Sequence, residues 1–123
     1  VTENASEFEI AAQSLGEVAA QISDTARQII AAGDLGKAEE MCRNALDLHK
    51  DLESRGGIAA DYANLGHIYK SLGNLDQAEE MWKNSLRLYL AMGHPHAEKV
   101  HHWLDILGLL RADQQAPPSD NPR

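Results

Sequence analysis

One stretch of this chain occurs twice. Gly33 to Leu48 and Gly73 to Leu88 stand 40 residues apart and agree at nine of sixteen positions, among them Gly33/Gly73, Ala38/Ala78, Glu39-Glu40/Glu79-Glu80, Met41/Met81 and Leu46/Leu86. Self-similarity at a fixed spacing of roughly 20–50 residues marks a solenoid, whose units each leave an apolar face to be buried on a neighbour. Function in such a chain belongs first to the surface that stacking creates.

The rest of the chain reads as helices around these two copies. Phe8, Leu15, Ile22 and Ile29 recur every seventh residue with Ala11, Val18 and Thr25 between them. This predicts one side of a long first helix, begun at a Ser6 cap and ended by Gly33-Asp34, with a break at Gly16 as the second choice. Asp34 then caps a helix with a buried line of Leu35, Ala38, Cys42, Ala45, His49 and Leu52, closed by Gly56-Gly57. Tyr62, Leu65, Gly66, Tyr69 and Leu72 mark the next helix. The second copy repeats the buried line with larger occupants, Leu75, Ala78, Trp82, Ser85, Tyr89 and Met92. Gly93-His94-Pro95 interrupts the chain because Pro cannot sit inside a helix. A last helix over about 97–112 carries Val100, Trp103, Ile106, Leu107 and Leu110, with Leu104 and Leu109 off that stripe. Residues 1–5 are expected to be a disordered lead. The Pro-rich stretch 113–123 has too little apolar content to fold and is expected to be a disordered tail.

The segment Tyr62 to Trp82 resembles a tetratricopeptide repeat (TPR). Its aromatic, Leu-Gly, Tyr and Ala signature falls on Tyr62, Leu65-Gly66, Tyr69 and Ala78, with Trp82 in place of the usual Phe. The 40-residue period is longer than the usual ~34 and is similar to the variant in Leu-Gly-Asn-type scaffolds and kinesin light chains. One period earlier, Ile22, Thr25, Ala26 and Ile29 take the signature positions; 41 residues later, Trp103, Ile106, Leu107 and Leu110 do. The resemblance implies an all-α superhelix of antiparallel helical hairpins with about five helices. Repeat 1 spans about 19–56, repeat 2 about 57–93, and a terminal helix completes two and a half units.

It also implies a use. In this family the first helix of each hairpin lines a concave groove that takes a peptide or partner helix. Carried onto this sequence, the groove positions are Ala60, Ala63, Asn64, His67, Lys70 and Ser71. The first helix adds Ser23, Asp24 and Arg27, and the last adds His101, Asp105, Gly108 and Arg111. Asn64 stands out because its amide both donates to and accepts from a peptide backbone. Against these stands the simpler reading of a solvated helix face. A chaperone-tail clamp is not implied, since Ser23 and Arg27 occupy the places where that clamp has Lys and Asn.

Charge and composition narrow the alternatives. With 19 acids against 11 Lys and Arg the chain carries −8, which repels phosphate backbones and anionic lipid, so no nucleic acid and no membrane is expected as partner. No apolar run approaches the ~18 residues of a membrane span, and the first residues lack the basic start and apolar heart of a signal peptide. A lone Cys42 cannot form an internal disulfide and reads as a small buried hydrophobe in a reducing, cytoplasmic setting. His94, His96, Glu98, His101 and His102 hold the right ligand atoms for Zn or Ni. They lack a regular ligand spacing and read instead as a surface histidine group, so no metal or cofactor is expected. Nothing resembles a phosphate loop or an activated nucleophile, and Glu39-Glu40 and Glu79-Glu80 read as solvated charges rather than an acid/base pair. The sequence thus predicts a non-catalytic protein-interaction scaffold. Its rivals are a homo-oligomerisation module, pairing through the apolar faces of the first or last helix, and a metal- or ligand-sensing domain built on His94, His96 and His101.

Overall fold

The computed structural model describes the backbone of residues 2–115 and the side chains of residues 13–114. Five helices follow one another: α1 (Thr2–Ala32), α2 (Leu35–Asp51), α3 (Arg55–Ser71), α4 (Leu75–Met92) and α5 (His96–Gln115). They are joined by connections of two or three residues, which force neighbouring helices to run antiparallel. No strand occurs among the described residues. Two hairpins, α1/α2 and α3/α4, stack side by side, α1 also touches α3, and α5 closes on α4.

Helix ends depart from the sequence reading in three places. α1 starts at Thr2, before the expected Ser6 cap, and runs unbroken through Gly16; the lead expected over 1–5 is therefore helical from Thr2. α5 extends through 113–115, and the remaining tail, 116–123, lies outside the described residues. α2 does not end at Gly56-Gly57. It ends where Glu53 adopts the left-handed conformation, φ 54°, that Gly93 (φ 63°) supplies at the end of α4. The Ser54 hydroxyl then accepts from the Gly57 amide at 3.3 Å, which puts both glycines in the first turn of α3. Gly57 is needed there for space, because the His49 ring occupies the volume a Cβ would take.

The core follows the repeat. Ala38, Cys42, Ala45 and His49 of α2 are buried, as are their counterparts Ala78, Trp82, Ser85 and Tyr89 of α4. Trp82 lies against Gly66, where any Cβ would overlap its indole ring, and its Nε1 donates to the Ala63 carbonyl at 3.0 Å. In the first hairpin the equivalent pair is Ala26 and Cys42, both fully buried. A small Cys leaves room for the methyl group that the large Trp excludes. Burial, with the charges of Asp61 and Glu39 adding to it, pushes the Cys42 thiol up to about 12, so it stays protonated and inert.

Three sets of polar contacts tie the helices together. Asp61 of α3 is fully buried; one carboxylate oxygen accepts from Ser23 of α1 and the other meets His49 Nδ1 of α2, each at 2.5 Å. Tyr69 donates to Glu39 at 2.6 Å, and Arg111 donates to Glu79 at 2.6 Å and also to Asp76. Glu39 and Glu79 are thus half-buried anchors for the next helix, and only Glu40 and Glu80 are the solvated charges expected of both pairs.

The outer helices bury different lines from those expected. On α1 the buried residues are Ala19, Ser23 and Ala26, while Leu15, Val18 and Thr25 are exposed; Phe8 and Ala11 lie outside the described side chains. α1 packs on α2 and α3, and its far side meets no other helix among the described residues. On α5 the line is Ala97, Val100 and Leu107, with Leu104 and Arg111 partly buried, whereas Ile106 and Leu110 are exposed. Leu72, expected inside, is also exposed.

Candidate functional site

The odd-numbered helices present one continuous concavity of about 490 Å3. α3 forms its floor through Ala60, Ala63, Asn64 and His67. α1 contributes Arg27, Ile30 and Ala31, α5 contributes His96, Lys99, Val100 and Trp103, and Tyr89 reaches in from the end of α4. α4 approaches α3 closely at Ala59, beneath the floor, and at Ala63, where Ser85 and Trp82 donate to their carbonyls at 2.7 Å and 3.0 Å. Small side chains at that crossing leave open space on the other side.

An aromatic group builds the α5 end. The His67 ring stands edge-on to Trp82 and Trp103, with centroids at 5.2 Å and 4.4 Å, and the two indoles lie 5.7 Å apart. Burial, helped by the nearby Lys70 charge, lowers the His67 pKa, so its neutral form prevails at neutral pH. Tyr89 packs against His94 and His96. Burial raises the Tyr89 pKa, and partial desolvation with the charges of His94, Lys99 and Arg27 lowers that of His96. Asn64 is 4% exposed, and its Nδ2 has no hydrogen-bond partner among the described residues.

Of the residues predicted for a groove, Arg27, Ala60, Ala63, Asn64 and His67 line it. The others stand elsewhere. Asp24 pairs with Arg27 along α1 outside the lining. Ser23 is committed to Asp61. Lys70 and Ser71 are exposed beyond the lining, at the C-terminal end of α3. His101 and Asp105 face each other at 3.4 Å on the exposed side of α5, and Gly108 is exposed. Arg111 is turned away by its bonds to Asp76 and Glu79. Sequence reasoning did not single out Ile30, Ala31, Tyr89, His96, Lys99, Val100 or Trp103 for the groove. Tyr89 had a signal available, since it repeats His49, whose ring already points at the following helix.

His94 and His96 sit together, with ring centroids at 4.6 Å, and the His96 amide donates to His94 Nδ1. Among the described residues no three His, Cys, Asp or Glu side chains converge as a metal ion requires, and the geometry does not gather His94, His96 and His101 into a site. No described helix is long and apolar enough to cross a membrane.

The family model described as tetratricopeptide repeat matches residues 19–91. No curated protein and no solved structure matches the chain.

Proposed function

Because the chain belongs to the tetratricopeptide repeat family, whose repeats generally mediate protein–protein interaction, we propose that it is a non-catalytic scaffold that takes a peptide or partner helix in the groove between α1, α3 and α5. The observation that carries this reading is Asn64: a buried amide on the floor of an open groove, with its donor group left unpaired. Buried polar groups are normally satisfied, and a peptide carbonyl is the acceptor such a donor fits. Around it the groove walls are apolar and aromatic, so a bound segment gains both a hydrogen bond and buried area at a few contacts. The groove is already shaped without a ligand, which keeps the ordering cost of binding on the ligand side. Net negative charge favours a protein partner over nucleic acid or anionic lipid.

The test is site-specific photo-crosslinking in cells, with a photoreactive residue in place of Ala60 in the groove or of Lys83 on the outer face of α4. Partners should be captured from position 60 and not from 83. Asn64→Ala should weaken the captured partner several-fold while leaving the melting temperature within a few degrees, because it removes an unsatisfied group rather than a bond. Equal capture from both positions, or unfolding by Asn64→Ala, would overturn the proposal.

A second reading, self-association, is favoured by α5, where Ile106, Leu109 and Leu110 are 38%, 73% and 41% exposed. Contiguous apolar residues left in solvent are what a second chain covers.

A further inference from the structure

The exposed side of α5 carries an ordered stripe. His102, Ile106, Leu109 and Asp113 follow one another at intervals of four, three and four residues, and all four are exposed. Alternating steps of four and three are the spacing of a helix that pairs with another helix along a seam. The stripe lies on the side of α5 turned away from the stack, opposite the buried Ala97, Val100 and Leu107. A helix that closes a stack in solvent carries polar residues outward, yet the two central positions here are Ile106 and Leu109, 38% and 73% exposed, with the half-exposed Leu110 beside them.

The order of these four residues complements a reversed copy of itself. When a second α5 lies antiparallel on this face, centred between positions 107 and 108, Ile106 faces the copy's Leu109 and His102 faces the copy's Asp113. A two-fold axis makes each contact twice. Apolar residues then meet at the centre and polar ones close both ends, where an imidazole N–H donates to a carboxylate whether or not the ring is charged. A parallel pairing in register would set Asp113 against Asp113, a like-charge contact. Asp105, beside the stripe, already faces His101 of its own helix at 3.4 Å. Resting on the self-association reading above, we infer that two copies of this chain pair through antiparallel α5 helices, with Ile106 packed on Leu109 and His102 bonded to Asp113 across the two-fold axis. One helix face falls short of the roughly 1,600 Å2 that a standard stable interface buries, so the dimer is weak. Lys99 and Trp103, which line the groove, sit on one flank of the stripe and Asp105 on the other. Antiparallel pairing brings like flanks together, so both grooves open on the same side and offer one partner two linked sites.

The experiment is cysteine crosslinking of the intact chain at high micromolar concentration, read on non-reducing gels after mild oxidation. Cys42 is fully buried with its thiol held protonated, so it adds no background. Positions 102 and 113 lie about 16 Å apart along the helix axis, further than a disulfide spans. His102→Cys chains mixed with Asp113→Cys chains should therefore yield a covalent dimer, and either variant alone at least tenfold less. In sedimentation, Asp113→Arg should weaken association at least threefold and adding His102→Glu should restore it, whereas Leu15→Asp, on α1, should change it less than twofold; circular dichroism checks that every variant remains helical. Crosslinking of His102→Cys with itself, equal crosslinking in all combinations, a charge exchange that restores nothing, or loss of the dimer in Leu15→Asp would each overturn the α5 arrangement while self-association stands. A chain that sediments as a monomer across the whole micromolar range removes both.

Discussion

At the scale of single residues, two buried contacts decide most of what can be changed. Gly66 is fixed by the indole of Trp82, and Gly66→Ala should destabilise the domain by about 1–3 kcal/mol through overpacking. Trp82→Cys alone should cost about 3–5 kcal/mol as a large-to-small change. Made together, they recreate the Ala26/Cys42 arrangement of the first hairpin. A double-mutant cycle by urea unfolding should therefore show the pair less destabilised than the sum, and strict additivity would refute the fit. Asp61 is the second contact, a carboxylate out of water between Ser23 and His49. Burial drives its pKa up, while the bonds from Ser23 and His49 hold it down. Asp61→Ala should cost about 3–5 kcal/mol by leaving His49 without its partner, and Asp61→Asn, which keeps hydrogen-bonding capacity, clearly less. Equal losses in the two variants would mean that the carboxylate's charge, which both lack, matters there rather than hydrogen-bonding capacity or volume. The Asp61 network left little trace in the sequence: His49 was legible as an inward position from its place in the repeat, but its partner lay on another helix with no spacing to announce it.

At the scale of helices, what was legible depended on how one-sided each helix is. α2 and α4 have a narrow apolar line and a polar remainder, and the centre of each line, Ala38, Cys42, Ala45 and His49 and then Ala78, Trp82, Ser85 and Tyr89, was readable, though buried Leu46 was not. α5 scatters its apolar residues round the helix among charged and polar ones, so its sequence carries no clear face. Aligning Trp103 with Tyr62 turned the helix the wrong way and placed Arg111 in the groove instead of on Glu79. The same error hid Lys99 and His96 from the candidate site, whereas four of the six α3 residues, Ala60, Ala63, Asn64 and His67, line it and only Lys70 and Ser71 fall beyond it. Helix ends were readable where glycine marks them and misread where it does not: the left-handed position ending α2 is Glu53. Replacing Glu53 with Gly should raise stability by about 1 kcal/mol, the cost of that conformation for a residue with a Cβ. Thermal unfolding checks it, and no gain would mean that Glu53 makes a compensating contact.

At the scale of the whole molecule, the stack has two unlike ends and one shared trough. α1 leaves Leu15 and Val18 uncovered, each 47% exposed, and α5 leaves Leu109 at 73%. If these faces pair chains, light scattering should give a dimer at tens of micromolar that Leu109→Asp returns to a monomer; a wild-type monomer throughout that range removes self-association from consideration. The repeat made the architecture legible because the duplicated hairpin carries its own packing instructions. The size exchange between Gly66/Trp82 and Ala26/Cys42 sets a limit on how such a chain can be rebuilt. A chimera that moves α1's sequence into α3's place would push an alanine methyl into an indole, whereas transplanting α1 and α2 as a pair keeps each lock with its key. The heritable brick of this protein is therefore the hairpin, and drift in one of its arms is tolerated only when the other arm follows.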